Sequence, residues 1–382
     1  MSVSAVRLVD HAGDIDDALW EACFAPPLEG RWWYEALEGG GLEDQFRFRY
    51  AVLTENGRDV GIAPMFTMQV PMELVVPAML LGVLRAATCL FPGVRVQRTL
   101  FIGSPCADEG TLGLLPGIDR LTALAAVHGA AIAEARRLDH PMMVWKDFPA
   151  LYDEDFLRLA RSERLFRMVS FPGTRLSLRG SGRDGYLAQL GSTHNNNYRR
   201  KLRRSRAAVE LDVEILTGPS AARLDRIYAL YWQTYSRAAT RFERLTPAFF
   251  ERIARAPCAR FLLLREQGRG EPVAFMLYFE LGTHLINKYL GFDYSRPRNW
   301  MLYFRLWDAF IDNAIAIGAR SIQSGQTGYR PKVELGHALE PLANYCRHRN
   351  PLAHWIYARA ARTVSWATLD PGLARHSGRA AG

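Results

Sequence analysis

Cysteine is scarce and unpatterned in this chain of 382 residues. Cys23, Cys89, Cys106, Cys258 and Cys346 are odd in number, widely scattered, and form no Cys-x-x-Cys pair. That excludes a disulfide scaffold and a cysteine-built zinc site, and it makes the reducing cytoplasm the expected compartment. The opening residues, MSVSAVRLVDHAGDIDD, lack an apolar run behind a basic start, so no secretory signal is expected. A Gly-x-Ser-x-Gly elbow and a cysteine-nucleophile signature are both missing, which argues against covalent catalysis. No stretch repeats another in sequence. With 49% hydrophobic, 11% aromatic and 23% charged residues, the composition excludes disorder and collagen. The length leaves room for two or three average domains.

Charge is present but lopsided. Residues 1–190 carry 19 Lys/Arg and 24 Asp/Glu, whereas residues 191–382 carry 29 and 15. The first half is therefore net −5 and the second net +14, so the second half is expected to meet an anionic partner: a phosphorylated cofactor, a nucleic acid or a lipid headgroup surface.

The pattern is that of an α/β (α+β) chain. Residues 46–56 and 58–70 read as two strands joined at Asn56-Gly57, a hairpin signal. Residues 99–105 form a further strand, 118–139 a helix, 141–148 a strand and 166–178 a strand-like stretch. The segment RGSGRDG (179–185) is the linker candidate. Beyond it come a basic helix, a strand at 211–217, helices at 224–238 and 247–256, and three consecutive strands over 259–293. An amphipathic helix over 300–317 is closed by Gly318, strands follow at 319–326 and 341–349, and a terminal helix begins with a proline. Two successive units of hairpin, helix and strand point to a duplicated architecture. The expected domains are residues 1–178 and 179–382.

The stretch 272–350 carries Gly291 with Asp293, the 300–317 helix, Gly318, then Gly325-Gln326-Thr327-Gly328-Tyr329 with Lys332 and Gly336. Upstream, Ser192 to Arg206 is a basic helix. In these features the chain resembles the GNAT-like acyltransferases of the FemAB type. The resemblance implies two tandem GNAT-like mixed-sheet domains, the first degenerate and carrying an apolar insertion, the second catalytic. It implies acyl-CoA as co-substrate, no permanently bound cofactor or metal, and an amine acceptor. It also implies an oxyanion donor among the backbone amides of a splayed central strand, expected within residues 273–280. One departure is plain. The glycine-lined pyrophosphate loop of that family is replaced by Ser295-Arg296-Pro297-Arg298-Asn299-Trp300, so Arg296, Arg298 and the following helix N-terminus would hold a pyrophosphate.

Candidate site residues follow from the chemistry of amide formation, which needs a base, an oxyanion donor and a donor for the leaving group. Lys332 would neutralise developing charge or grip a phosphate, or else be a solvated loop lysine. Tyr329 would protonate a departing thiolate, its ordinary pKa of roughly 10 being close to that of a thiol, or be a packed turn tyrosine. Gln326 would orient the amine. His194 is the first base candidate, with helix capping or a surface position as the alternative. Asp147, at the end of an apolar strand, is the second, with helix capping before Pro149 as its alternative. Lys288 stands on an apolar strand, and its burial cost places it in a polar cleft. From Arg199 to Arg206 six of eight residues are cations, and Arg199, Arg200 and Arg203 are assigned to phosphate or lipid contact.

Between Leu74 and Val94 only Arg85 is charged, and twenty-one residues approach the roughly 20 that span a bilayer. Pro77, Pro92 and the position between strands of one domain oppose a true span. The segment is expected to dip into the membrane interface, to line a tunnel for an acyl chain, or to be a buried core helix. An anionic surface, at the inner membrane, is then a docking partner. The leading function is acyl transfer from acyl-CoA to an amphipathic amine, in its sharpest form ceramide-like acylation of a sphingoid base. The alternatives are FemAB-like transfer from aminoacyl-tRNA and a non-catalytic adaptor for anionic lipid or nucleic acid.

Overall fold

In a computed structural model, residues 3–71, 96–178, 182–238, 243–268 and 270–379 are described. The expectations placed on the apolar segment 74–94 therefore lie outside the described residues, as does part of the proposed linker at 179–181.

The chain divides into two compact units, and neither is continuous in sequence. The first comprises Met1–Phe24, Glu43–Gly173 and Glu340–Gly382, the second Ala25–Leu42 and Thr174–Leu339. The domain boundary expected at 178 falls close to the change of unit at Gly173. Residues 25–42 and 340–382, however, each join the other unit, because their apolar side chains pack there and not on their sequence neighbours.

The first unit contains β1 (Ala5–Val9), α1 (Asp17–Cys23), β2 (Arg47–Glu55), β3 (Arg58–Pro71), β4 (Val96–Ile102), β5 (Gly113–Leu114), α3 (Arg120–Arg137), β6 (Met142–Pro149), α4 (Asp153–Glu163) and β7 (Phe166–Val169). From the end of the chain it adds β15 (Leu342–His348), α11 (Pro351–Ala361) and α12 (Trp366–Leu369). The second unit holds α2 (Arg31–Glu38), β8 (Gly173–Ser177), α5 (Gly182–Gln189), α6 (Gly191–Ala208), β9 (Leu211–Leu216), α7 (Ala221–Arg237), α8 (Pro247–Ile253), β10 (Ala259–Glu266), β11 (Pro272–Leu281), β12 (His284–Phe292), α9 (Leu302–Ala316), β13 (Ser321–Ser324), α10 (Tyr329–Glu334) and β14 (Ala338–Glu340). The stretch 166–178, read as a single strand, is two strands in different sheets.

The sheets are built alike. Sheet one runs β1-β2-β3-β4-β6-β15-β7, with β5 on β3, and sheet two runs β14-β8-β13-β12-β11-β10-β9. Each has a central parallel pair, β4/β6 and β12/β13, where a helix crosses over between the two strands. In each, the strand next to that pair's outer edge is supplied from elsewhere in the sequence: β15 returns to the first sheet and β8 enters the second. A repeat absent from the sequence is thus present in the strand order, since pairing needs alternation of apolar residues and not their identity.

Local rules explain most elements. Asn56 and Gly57 adopt φ of 49° and 78°, the double left-handed turn that lets β2 and β3 pair antiparallel. Asp119 and Asn350 cap α3 and α11 by accepting backbone N–H bonds. The first core joins α3 to β2–β6 around Trp145, Phe148 and Phe156. The second packs α6 and α9 on β10–β12 through Tyr198, Leu202, Trp307 and Phe310. Among the described residues, no helix is long and apolar enough to cross a membrane.

Candidate active site

The second sheet opens at its one parallel pair. β12 and β13 are in register from His284/Ser321 to Asn287/Ser324, and there the pairing stops while β12 runs on to Phe292. At the same point β12 carries a bulge: Leu277 of β11 faces Tyr289 and Tyr278 faces Asn287, leaving Lys288 with no opposite residue. A bulge re-aims the strand and increases its twist, so the two parallel strands separate as a fork. The amides of β12 beyond Asn287 are no longer bonded to β13. The oxyanion donor expected within residues 273–280 is therefore misplaced, because β11 is bonded to β10 on one flank and β12 on the other. The free amides belong to the next strand.

The crotch of the fork is polar. Ser324, fully buried, donates through Oγ to Asn287 Oδ1 at 2.9 Å, tying the last paired residues together. Thr174 of β8 donates to the Ser324 carbonyl at 2.7 Å. Asn287 is 3% exposed, and among the described residues its Nδ2 is buried with no hydrogen-bond partner. Such an amide, kept dry and unspent, is ready to donate to a bound group. Neither Asn287 nor Ser324 was singled out from the sequence. The signal was an Asn next to a Lys in an otherwise apolar strand, read only for its lysine.

The loop after β13 carries three of the expected residues. Gln326 is half-buried, Gly328 is left-handed at φ 65° and starts α10, and Tyr329 is 2% exposed. Lys332 is buried, and its Nζ donates to the Gly325 carbonyl, clamping the loop that leaves β13. It is thus neither a solvated loop lysine nor, in this arrangement, a free cation. His337, missed in the sequence, receives the next turn: its Nδ1 lies 3.0 Å from the Lys332 carbonyl, and burial with the nearby ammonium pushes its pKa down to about 3.

Lys288 does not line an open cleft. Its side chain is 1% exposed, its Nζ lies 2.6 Å from Glu29 Oε1, and the ammonium sits 4.8 Å from the centre of the Trp33 ring. The polar partner that its burial requires comes from the segment 25–42, whose Trp33 packs on Phe249 and Phe279.

Asp147 belongs to the first unit and is separated from the other candidates by that division. It stands at the corresponding place in sheet one, just past the last β4/β6 pair, Ile102/Trp145. It has a left-handed φ of 59°, accepts from Ser170 Oγ and Lys146, and takes an Asn344 side-chain oxygen on its N–H at 2.8 Å. It is 4% exposed and caps no helix.

The anion-binding candidates fall into two groups. Arg296 is held by Asp293 Oδ2 at 3.2 Å and Glu266 Oε2 at 3.3 Å, so its charge is already matched and it is a poor grip for a pyrophosphate. Arg298, in the turn before α9, is exposed and has no ion pair among the described residues. That helix starts from Met301 in a left-handed conformation with no side-chain cap, leaving its first N–H groups to a ligand or water. On α6, Tyr198, Leu202 and Ser205 face inward at helical spacing. Arg199 and Arg200 are exposed and bonded to Asn195 and Asn197, and Arg203 is exposed. Lys201 and Arg206 are spent on Glu334 and Asp308. His194 is half-buried in the first turn of α6, and its Nδ1 is buried without a partner among the described residues.

Gly291 and Asp293 position these parts. A Cβ at Gly291 would stand 2.5 Å from the Leu230 backbone, so α7 reaches β12 only over a glycine. Asp293 then bonds the Ser295 N–H at 3.1 Å, Arg226 at 3.3 Å and Arg296, fixing the chain between the fork and α9.

A central parallel pair forked beside a bulge, followed by a helix with an open N-terminus, defines an acyltransferase domain of GNAT type. Residues 192–332 match the family model described as acetyltransferase (GNAT) domain. The fold is shared with FemX, at 12% identity and a TM-score of 0.60 over 92% of this chain and 100% of that one. It is shared with a conserved protein of unknown function from Bacteroides thetaiotaomicron (12% identity, 89% and 99% covered, TM-score 0.55). The L-PGS of Bacillus licheniformis is similar too (10% identity, 85% and 92% covered, TM-score 0.52). No curated protein matches the sequence. Residues 192–332 thus carry an acyltransferase domain of GNAT type, and the chain as a whole shares its fold with FemX.

Proposed function

We propose that the second unit transfers an acyl group from acyl-CoA to the amine of an amphipathic, lipid-like acceptor, a sphingoid base being the sharpest version. The fork at Asn287/Ser324 carries this reading. A thioester carbonyl set against the amides of Lys288 and Leu290, which face away from β11 beyond the last β12/β13 pair, finds donors already oriented toward the charge that develops on its oxygen. The neutral amine attacks that carbon and gives up a proton as the C–N bond forms. The C–S bond then breaks, and the sulfur leaves as the thiol after taking a proton. His194 is the base we assign to the amine, Gln326 orients it, and Tyr329 hands a proton to the sulfur. Arg298, the N-terminus of α9 and the exposed Arg199, Arg200 and Arg203 are suited to the phosphates of the donor. Lys332 serves by holding the loop that bears Gln326 and Tyr329. A lipid-like acceptor would bring the enzyme to an anionic bilayer surface, a peripheral association at the inner membrane.

The experiment is incubation with long-chain acyl-CoA and a sphingoid base, with the amide followed by mass spectrometry and the free thiol by a colour reaction. An amide that depends on both substrates is the expected product. Turnover of a soluble amine with no lipid amide at any chain length would refute the acceptor. The exposed arginines of α6 also suit an RNA backbone. Activity that requires aminoacyl-tRNA and vanishes with RNase would establish that second reading instead.

A further inference from the structure

The first unit has a cationic cavity of about 550 Å³ that plays no part in the chemistry above. It lies at the start of β6 and the end of β15, whereas Asp147 sits at the other end of β6. Its lining includes Arg136, Arg164, Arg347, Arg349, His354 and Trp355. Arg347 is paired with Glu163 at 3.0 Å, and Arg349 shares Asp139 with Arg98 at 2.8 Å and 2.7 Å. Arg136 and Arg164 are exposed and have no ion pair among the described residues. Five arginines thus meet two carboxylates. The field is felt by the neighbouring imidazoles: burial first, then Arg164 and Arg347, hold His354 below its ordinary pKa.

The rim of this cavity is greasy. On the first turns of α11, Leu352, Trp355 and Ile356 are 67%, 62% and 50% exposed, at spacings that put them on one face. Large apolar side chains so exposed, on one face and rimmed by cations, mark a contact surface. At this end of the sheet Pro71 of β3 pairs with Val96 of β4, and the adjacent Gln97 accepts a hydrogen bond from Tyr357 of α11 at 3.1 Å.

We propose that this end of the first unit docks on a bilayer of anionic phospholipid, the headgroup phosphate seated among Arg136, Arg164, Arg347 and Arg349, with Leu352, Trp355 and Ile356 entering the interface. Guanidinium forks match phosphate oxygens, and a tryptophan with aliphatic neighbours is suited to the boundary between headgroups and chains. A soluble anion would account for the arginines but would leave the apolar face in water. The docking surface does not depend on the identity of the acceptor, and its test reads binding and not turnover.

The full-length protein is sedimented with vesicles of phosphatidylcholine alone and with vesicles containing phosphatidylglycerol. Binding is expected only to the second and should weaken with salt. Arg136→Gln combined with Arg164→Gln should lower the partition roughly 25-fold, about fivefold for each arginine. Trp355→Ala should lower it several-fold, with thermal melting unchanged because all three side chains are exposed. No binding to the anionic vesicles, or binding that these variants leave intact while Arg199→Gln with Arg200→Gln abolishes it, would overturn the proposal. So would saturable binding of glycerol 3-phosphate without vesicle binding, which would identify a soluble ligand. A stable dimer that Trp355→Glu dissociates would assign the face to a second copy and overturn it equally.

Discussion

Lys288 Nζ and Glu29 Oε1 stand 2.6 Å apart, joining the bulged residue of β12 to a segment more than two hundred residues earlier. Both are withdrawn from water, the lysine side chain to 1% and the glutamate to 13% exposure. The pair therefore works as a unit, each charge being tolerable only beside the other. Glu29→Gln is expected to destabilise the protein by about 3–5 kcal/mol, since it leaves a buried ammonium uncompensated. Lys288→Met with Glu29→Leu should recover most of that loss. Urea denaturation of the three proteins checks this, and a double variant no more stable than Glu29→Gln would show that the pair is not the cause.

The two arginines before α9 should separate by kinetics. Arg298 is exposed and, among the described residues, has no ion pair, so Arg298→Gln should raise the KM for acyl-CoA roughly tenfold with kcat nearly unchanged. Arg296 is matched by Asp293 and Glu266, so Arg296→Gln should lower thermal stability and shift KM little. Steady-state kinetics on both variants is the measurement. A larger KM effect at Arg296 would mean that its carboxylates release it when the donor binds.

Stability should fall in mild acid. Burial holds His128 down at about 4 and His337 at about 3, with Arg347 and Lys332 respectively adding to the effect. Both imidazoles are neutral in the fold, whereas the unfolded chain protonates them near roughly 6.5. Their contribution is complete above that value and is lost as pH falls through the interval toward 4 and then 3. Each should cost about 1.4 kcal/mol per pH unit within its interval. His337→Gln should reduce the slope of unfolding free energy against pH between roughly pH 6 and pH 4. An unchanged slope would place the proton elsewhere.

Gly291→Ala tests the approach of α7 to β12. The added methyl would stand 2.5–2.6 Å from the Leu230 backbone and the Phe275 ring, none of which can move alone. A loss of about 1–3 kcal/mol is expected, with the melting midpoint falling accordingly. A variant as stable as the parent would show that the helix shifts outward without penalty.

Much of the fold was legible because its cues are local. The Asn56-Gly57 hairpin, the three strands over 259–293, the 300–317 helix and the prolines that open α8 and α11 all followed from turn chemistry and apolar period, and the structure has them within a few residues. Helices α1, α2, α4 and α10 are short or carry mixed patterns, and were not read. The site was legible in part. Gln326, Tyr329 and Lys332 do gather at the end of β13, and the basic run is an amphipathic helix. Asn287 and Ser324 escaped notice because a polar residue in a strand reveals its importance only when the strand beside it is known.

The sequence by itself determined the elements, the second catalytic-type half and the surplus of positive charge beyond residue 190, since propensity, period and charge are properties of neighbours along the chain. Tertiary structure decided which strand closes which sheet, that β15 and the segment 25–42 cross to the other unit, and that the free amides lie on β12 and not β11. It also decided which cations are spent: Lys201 and Lys288 are neutralised by carboxylates distant in sequence and Arg296 by Glu266 together with the neighbouring Asp293, while Arg136, Arg164 and Arg298 are left exposed. Pairing of strands and of charges is set by proximity in space, and linear spacing does not encode it.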